Sequence, residues 1–150
     1  MQAHVDWVWS DAYLLGFGPM DETHQEFVEI VNSMLTAEGS AMAEVLALFE
    51  RHTSAHFDQE ARWMEETEFP GRQCHLDEHN AVLKSLREVR VLVDQGDIAV
   101  ARRFATELKK WFPAHAQYLD SAVAQWMVKR RLGGLPVVLK RNLGLASAEA

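Results

Sequence analysis

Residues 75–79 read His75-Leu76-Asp77-Glu78-His79, inside a stretch from about Gln73 to Val93 where His75, His79, Val82, Leu86 and Val89 recur at helical spacing. Side chains four apart on a helix stand one above the other, so the segment turns two imidazoles in one direction. Upstream, His56-Phe57-Asp58-Gln59-Glu60 does the same with an imidazole and a carboxylate, on a stripe of Val45, Phe49, His52, His56, Glu60 and Trp63 that ends near Glu66. Two further amphipathic stretches flank these. The first runs from about Asp21 to Thr36, with His24, Phe27, Val31, Met34 and Leu35 aligned; the last runs from Asp97 to about Lys129, with Phe104, Leu108, Trp111, His115 and Tyr118 inward.

The breaks between the stretches are short. Gly39-Ser40 offers Ser40 as an N-cap, Phe69-Pro70-Gly71 is a turn, and Asp94-Gln95-Gly96-Asp97 supplies a glycine stop followed by an aspartate cap. Four long helices joined in this way predict an all-α, up-down-up-down four-helix bundle over residues 1–128. Pro113 removes one backbone hydrogen bond from the fourth helix and predicts a kink there. Residues 1–20 read as an irregular arm whose Trp7, Trp9, Tyr13 and Phe17 cap the bundle, and residues 129–150 as a basic C-terminal extension.

Composition narrows the function. The chain has 150 residues and a net charge of −7. The body to residue 128 holds 10 Lys+Arg against 21 Asp+Glu and the remainder 5 against 1, so the body lacks the basic footprint that nucleic acid requires. The N-terminus shows no signal-peptide pattern, and no run of apolar residues is long enough to span a membrane. A single cysteine, Cys74, excludes an internal disulfide, and together these features point to a reduced, cytoplasmic protein.

The chemistry lies in histidines placed inward on all four helices: His24, His56 with Glu60, His75 with His79, and His115 followed by Asp120. His115 and Asp120 are five apart, about 140° around a regular helix, so the aspartate is expected to reach the group from the flank. Five imidazoles and two carboxylates exceed what one tetrahedral zinc takes. Imidazole suits iron, copper and zinc, whereas carboxylates favour harder ions such as iron or manganese. Seven ligands fit two metals bridged by the carboxylates with one position left open, where a small ligand such as O2 can bind. Burying so many polar groups without partners would cost roughly 1–3 kcal/mol apiece, which makes a merely structural role hard to sustain.

Over about residues 7–127 the chain resembles the bacterial hemerythrins. The resemblance is carried by Trp9-Ser10-Asp11, Gly16, Met20-Asp21-Glu22-Thr23-His24, residues 52–60, Phe69-Pro70, His75-Leu76-Asp77-Glu78-His79, and Trp111-Phe112-Pro113-Ala114-His115 with Asp120. It implies a non-haem di-iron centre with His75, His79 and His115 on one iron and His24 and His56 on the other. Glu60 and Asp120 would bridge both, together with an oxo or hydroxo group, and the five-coordinate iron on His24 and His56 would take O2. No haem is implied, and the chain has no Cys-x-x-Cys-His attachment motif. The implied function is reversible O2 binding for storage, delivery or sensing rather than catalysis, with NO or small anions as other ligands. The alternatives are a di-iron oxidase or nitric-oxide-handling enzyme, or a module that signals O2 or redox state through the basic tail. Ferritin-like di-iron enzymes use Glu-x-x-His pairs, and this sequence contains none.

The pocket is expected from Trp111, Phe112 and Ala116. The resemblance implies a bulky aliphatic after the fourth-helix histidine; here that residue is Ala116, a departure from the family pattern, and Phe112 is the neighbour able to fill the space. Its ring is expected to point from a different edge of the turn and to leave room. His52 reads as a residue at the end of the site rather than a ligand, and His4 and Cys74 as bystanders. The tail reads as a strap on the acidic body, with a partner-docking peptide or a membrane-surface contact as sharper readings.

Overall fold

A computed structural model describes residues 7–131; the readings of His4 and of residues 132–150 lie outside this range. The described residues form helices and turns without a strand. Helix α1 spans Gly18–Thr36, α2 Met42–Glu66, α3 Arg72–Asp94, α4 Ile98–His115 and α5 Ser121–Arg131, and none is long and apolar enough to cross a membrane. α1 packs on α2 and α4, α3 packs on the same two, and the connecting turns are too short for anything but reversal of the chain.

Helix α1 begins three residues earlier than its apolar pattern predicts. Pro19 sits in its first turn, where a missing N–H costs nothing, and the Asp21 carboxylate accepts hydrogen bonds from the backbone of Leu15 and Gly16 to fix the entry. Ser40 does not cap α2: it lies in a 3-10 turn, Gly39–Ala41, and the residue at the cap position is Ala41, with no side-chain bond. The α3–α4 junction matches its reading. Gly96, at φ 100°, lets the Asp97 amide bond back to the Leu92 carbonyl while the Asp97 side chain caps Val100.

The α2 stop has the same backbone pattern without the glycine. The Phe69 amide bonds to the Met64 carbonyl, and Glu68 holds the left-handed position at φ 57°. A side chain in that region costs about 1–2 kcal/mol, partly offset by the larger unfolded-state entropy of glycine. Glu68→Gly should therefore stabilise the protein by about 0.5–1 kcal/mol, read from the denaturant midpoint at unchanged slope.

The fourth helix is not continuous. After α4 the chain makes one π turn, Ala116–Asp120, with the Ser121 amide bonded to the Ala116 carbonyl, before α5 resumes. Two expectations change as a result. A residue five positions on closes one π turn, so Asp120 points inward with His115 instead of arriving from the flank. The wider turn rotates the following residues, and Tyr118, expected inward, is 71% exposed.

The core divides along the bundle. Phe17, Met20, Met64, Val123 and Ala124 fill one end, and a larger group including Phe27, Val31, Phe49, Leu86 and Phe104 fills the rest. Trp7 belongs to the larger group: its ring stands edge-on to Phe27 and Phe112, its amide bonds to Asn32 and its indole N–H donates to the Tyr13 hydroxyl.

Candidate metal centre

Between the two apolar groups lies a polar layer. Its members are His24 of α1, His56 and Glu60 of α2, His75 and His79 of α3, His115 at the end of α4 and Asp120 of the π turn. Among the described residues the buried polar side chains are these seven and Thr53. All seven residues singled out from the sequence converge here; His52 does not join them and pairs with Glu26 at 3.0 Å.

The two carboxylates divide their oxygens. Glu60 Oε2 lies 2.7 Å from His56 Nε2 and 3.7 Å from His24 Nε2, while its Oε1 lies 3.3 Å from His75 Nε2 and 3.4 Å from His79 Nε2. Asp120 Oδ2 lies 3.1 Å from His24 Nε2, and its Oδ1 lies 2.8 Å from His75 Nε2 and 3.2 Å from His115 Nε2. Each carboxylate thus serves a two-imidazole set with one oxygen and a three-imidazole set with the other. Within His24, His56 and Glu60, and within His75, His79, His115 and Asp120, donor atoms lie within 4.8 Å of one another, close enough for each set to hold a cation.

These donors fit metal better than they fit each other. His24 Nε2, His75 Nε2, Glu60 Oε1 and Asp120 Oδ1 make no aligned hydrogen bond although their neighbours are close. His79 Nε2 and His115 Nε2 face one another at 3.2 Å. Lone pairs aimed at a common centre are unfavourable when buried unless a cation takes them. Protons are the partial substitute. Burial pushes the His24 and His75 imidazoles down, but the Asp120 and Glu60 carboxylates beside them prevail and hold both at about 9. Burial pushes Glu60 and Asp120 up, yet the surrounding imidazoles hold both well below the usual carboxylate range. His79, desolvated and next to His75 and His115, is held down to about 3.

Aromatic rings wall the layer. Phe112 meets the His24 ring edge-on at 5.1 Å and stacks on Phe27 at 5.3 Å, so it covers the two-imidazole side. Trp111 stacks on His115 at 4.2 Å, against the three-imidazole set, and Ala116 is buried in the same apolar group as Phe112. Two neighbours escaped the sequence reading. Phe57 lies flat on His79 at 3.7 Å, and Glu78 accepts the Nδ1–H of His115 at 2.8 Å. Phe57 directly follows a predicted ligand and could have been found from that position, but Glu78 acts across to another helix, which no spacing rule reveals.

Fold and site together define a four-helix bundle with a buried, histidine-rich double set of cation donors at its centre. The family model described as the hemerythrin HHE cation binding domain matches residues 16–126, and the chain belongs to that family. It is 38% identical to a bacteriohemerythrin of Ralstonia nicotianae over 122 residues, covering 81% of this chain and 89% of that one. A myohemerythrin of Riftia pachyptila is 26% identical over 76% of this chain and 88% of its own. A crystal structure of a hemerythrin L114A mutant superposes with a TM-score of 0.71 at 18% identity, over 78% of this chain and 93% of that one.

Proposed function

We propose that this protein binds O2 reversibly at a carboxylate-bridged pair of iron ions, for oxygen storage, delivery or sensing. His75, His79 and His115 hold one ion, His24 and His56 the other, and Glu60 and Asp120 span both. The observation that carries this reading is the division of each carboxylate's two oxygens between the two imidazole sets. Iron suits a mixed imidazole and carboxylate donor set, and two such ions supply the electrons that reversible O2 binding draws on. The protein's own part is to leave one side short of an imidazole and to keep water from it. Phe112 does the latter with its ring edge-on to His24, and Phe27 with its ring edge-on to His56. Reduction without air, then O2 admitted and swept out through several cycles, tests the reading. A reversible absorption change is expected; O2 consumed in every cycle would mark an oxidase instead.

The ionised residues predict a pH effect on the metal-free protein. His24 and His75 sit at about 9 when folded and near 6.5 when unfolded. Groups raised on folding contribute stability that is present below about pH 6.5 and lost as pH rises through about 9. Chelated protein should therefore melt lower at pH 9.5 than at pH 6.5, by about 5 °C or more. Metal-loaded protein should lose much less, because cations replace those protons against Glu60 and Asp120.

A further inference from the structure

Of the five inward imidazoles, His115 differs on its outer edge. The Nδ1 atoms of His24, His56, His75 and His79 have no hydrogen-bond partner among the described residues, whereas His115 Nδ1 lies 2.8 Å from Glu78 Oε1. The opposite nitrogen, His115 Nε2, faces Asp120 Oδ1 at 3.2 Å. Trp111 stacks on the ring at 4.2 Å with the planes 25° apart, so the imidazole is held on its edge and on its face. Glu78 comes from α3, one residue before His79, so this short segment sends one side chain into the layer and the next across to α4. Its side chain is about half exposed, at 47%. Together with Val82 and Trp111 it lines a groove between α3 and α4.

We infer that Glu78 is the positioning residue of the three-imidazole site: by accepting the Nδ1–H of His115 it fixes the tautomer that aims the Nε2 lone pair inward. A carboxylate in that place also strengthens the imidazole as a donor. The effect is one-sided. Among the described residues no other imidazole of the layer has such a partner, so the ion on His75, His79 and His115 is held more tightly and its oxidised form is favoured over that of its neighbour. The inference rests on the ligand assignment proposed above. It adds that an exposed surface carboxylate, reached through the groove, controls one of the two ions.

The test is an anaerobic Fe(II) titration of metal-free wild type, Glu78→Ala, Glu78→Gln and Asp77→Asn, with redox potentiometry of each loaded protein. Asp77 is exposed, bonds to Gln73 on its own helix and loses the same charge without touching the layer. Wild type is expected to take up two ions, one more tightly than the other, and Asp77→Asn to show the same two affinities as wild type. Glu78→Ala is expected to weaken one of the two sites roughly 10–100-fold and leave the other alone. Glu78→Gln, which keeps an acceptor without the charge, is expected between them, with a reduction potential above that of wild type. Unchanged melting of the metal-free variants separates these effects from misfolding. Equal affinities for wild type and Glu78→Ala would overturn the inference, as would an Asp77→Asn loss as large as that of Glu78→Ala. A wild type that takes up fewer than two ions would instead overturn the ligand assignment itself.

Discussion

Replacing Glu60 with alanine should remove nearly all the iron from the purified protein, from about two ions per chain to well under one. Its Oε2 faces the two-imidazole set at 2.7 Å and its Oε1 the three-imidazole set at 3.3 Å, so one truncation takes a ligand from each ion. It also removes half of the negative charge that two cations meet in a layer otherwise made of neutral imidazoles. His79→Ala should be milder. It takes one of three imidazoles from one set only, and about one ion per chain should remain. His52→Ala should leave the content unchanged, because His52 pairs with Glu26 outside the layer. Elemental analysis of the three variants beside wild type is decisive. Equal iron in wild type and Glu60→Ala would remove the bridging role, and a wild type with one zinc per chain would end the di-iron reading.

That Glu60 could be singled out at all follows from the regularity of the helices that carry it. Spacing of four residues placed His56 with Glu60 and His75 with His79, and the geometry brings both pairs into one layer. The helices themselves were equally legible, because their apolar stripes run unbroken through α1, α2 and α3. Legibility stopped where the backbone departs from 3.6 residues per turn. The π turn Ala116–Asp120 inserts its extra residue without glycine or a charge cluster to announce it, so neither the approach of Asp120 nor the exposure of Tyr118 follows from regular helix spacing. Ser40 had the right chemistry for a cap and the wrong backbone, since a 3-10 turn took its place at the start of α2. Contacts between helices were beyond reach for a different reason. Which face of Phe112 meets His24, or that Glu78 meets His115, depends on how two helices are rotated against each other.

Phe112 shows what such a contact controls, and Phe112→Ala should be the most damaging change outside the ligands. The ring is 1% exposed. It stacks on Phe27, stands edge-on to Trp7 and Tyr13, and covers His24 at 5.1 Å. Emptying it should cost about 3–5 kcal/mol of stability. The space left lies on the two-imidazole side, where O2 is proposed to enter, and water that fills it should speed oxidation of the oxygenated protein. Ala116→Ile approaches the same wall from the other direction. Ala116 is 4% exposed and belongs to the same apolar group, so the added carbons must enter a densely packed core while Phe112 holds its place. The change should therefore overpack the site, costing about 1–3 kcal/mol and slowing O2 entry. In the double variant each change should relieve the other, with stability recovered in part and O2 entry faster than in Ala116→Ile alone. Chemical denaturation, stopped-flow O2 binding and an oxidation time course on the three proteins decide between these outcomes. If Ala116→Ile changes neither rate, residue 116 does not border the path that O2 takes, and Phe112 alone forms that wall.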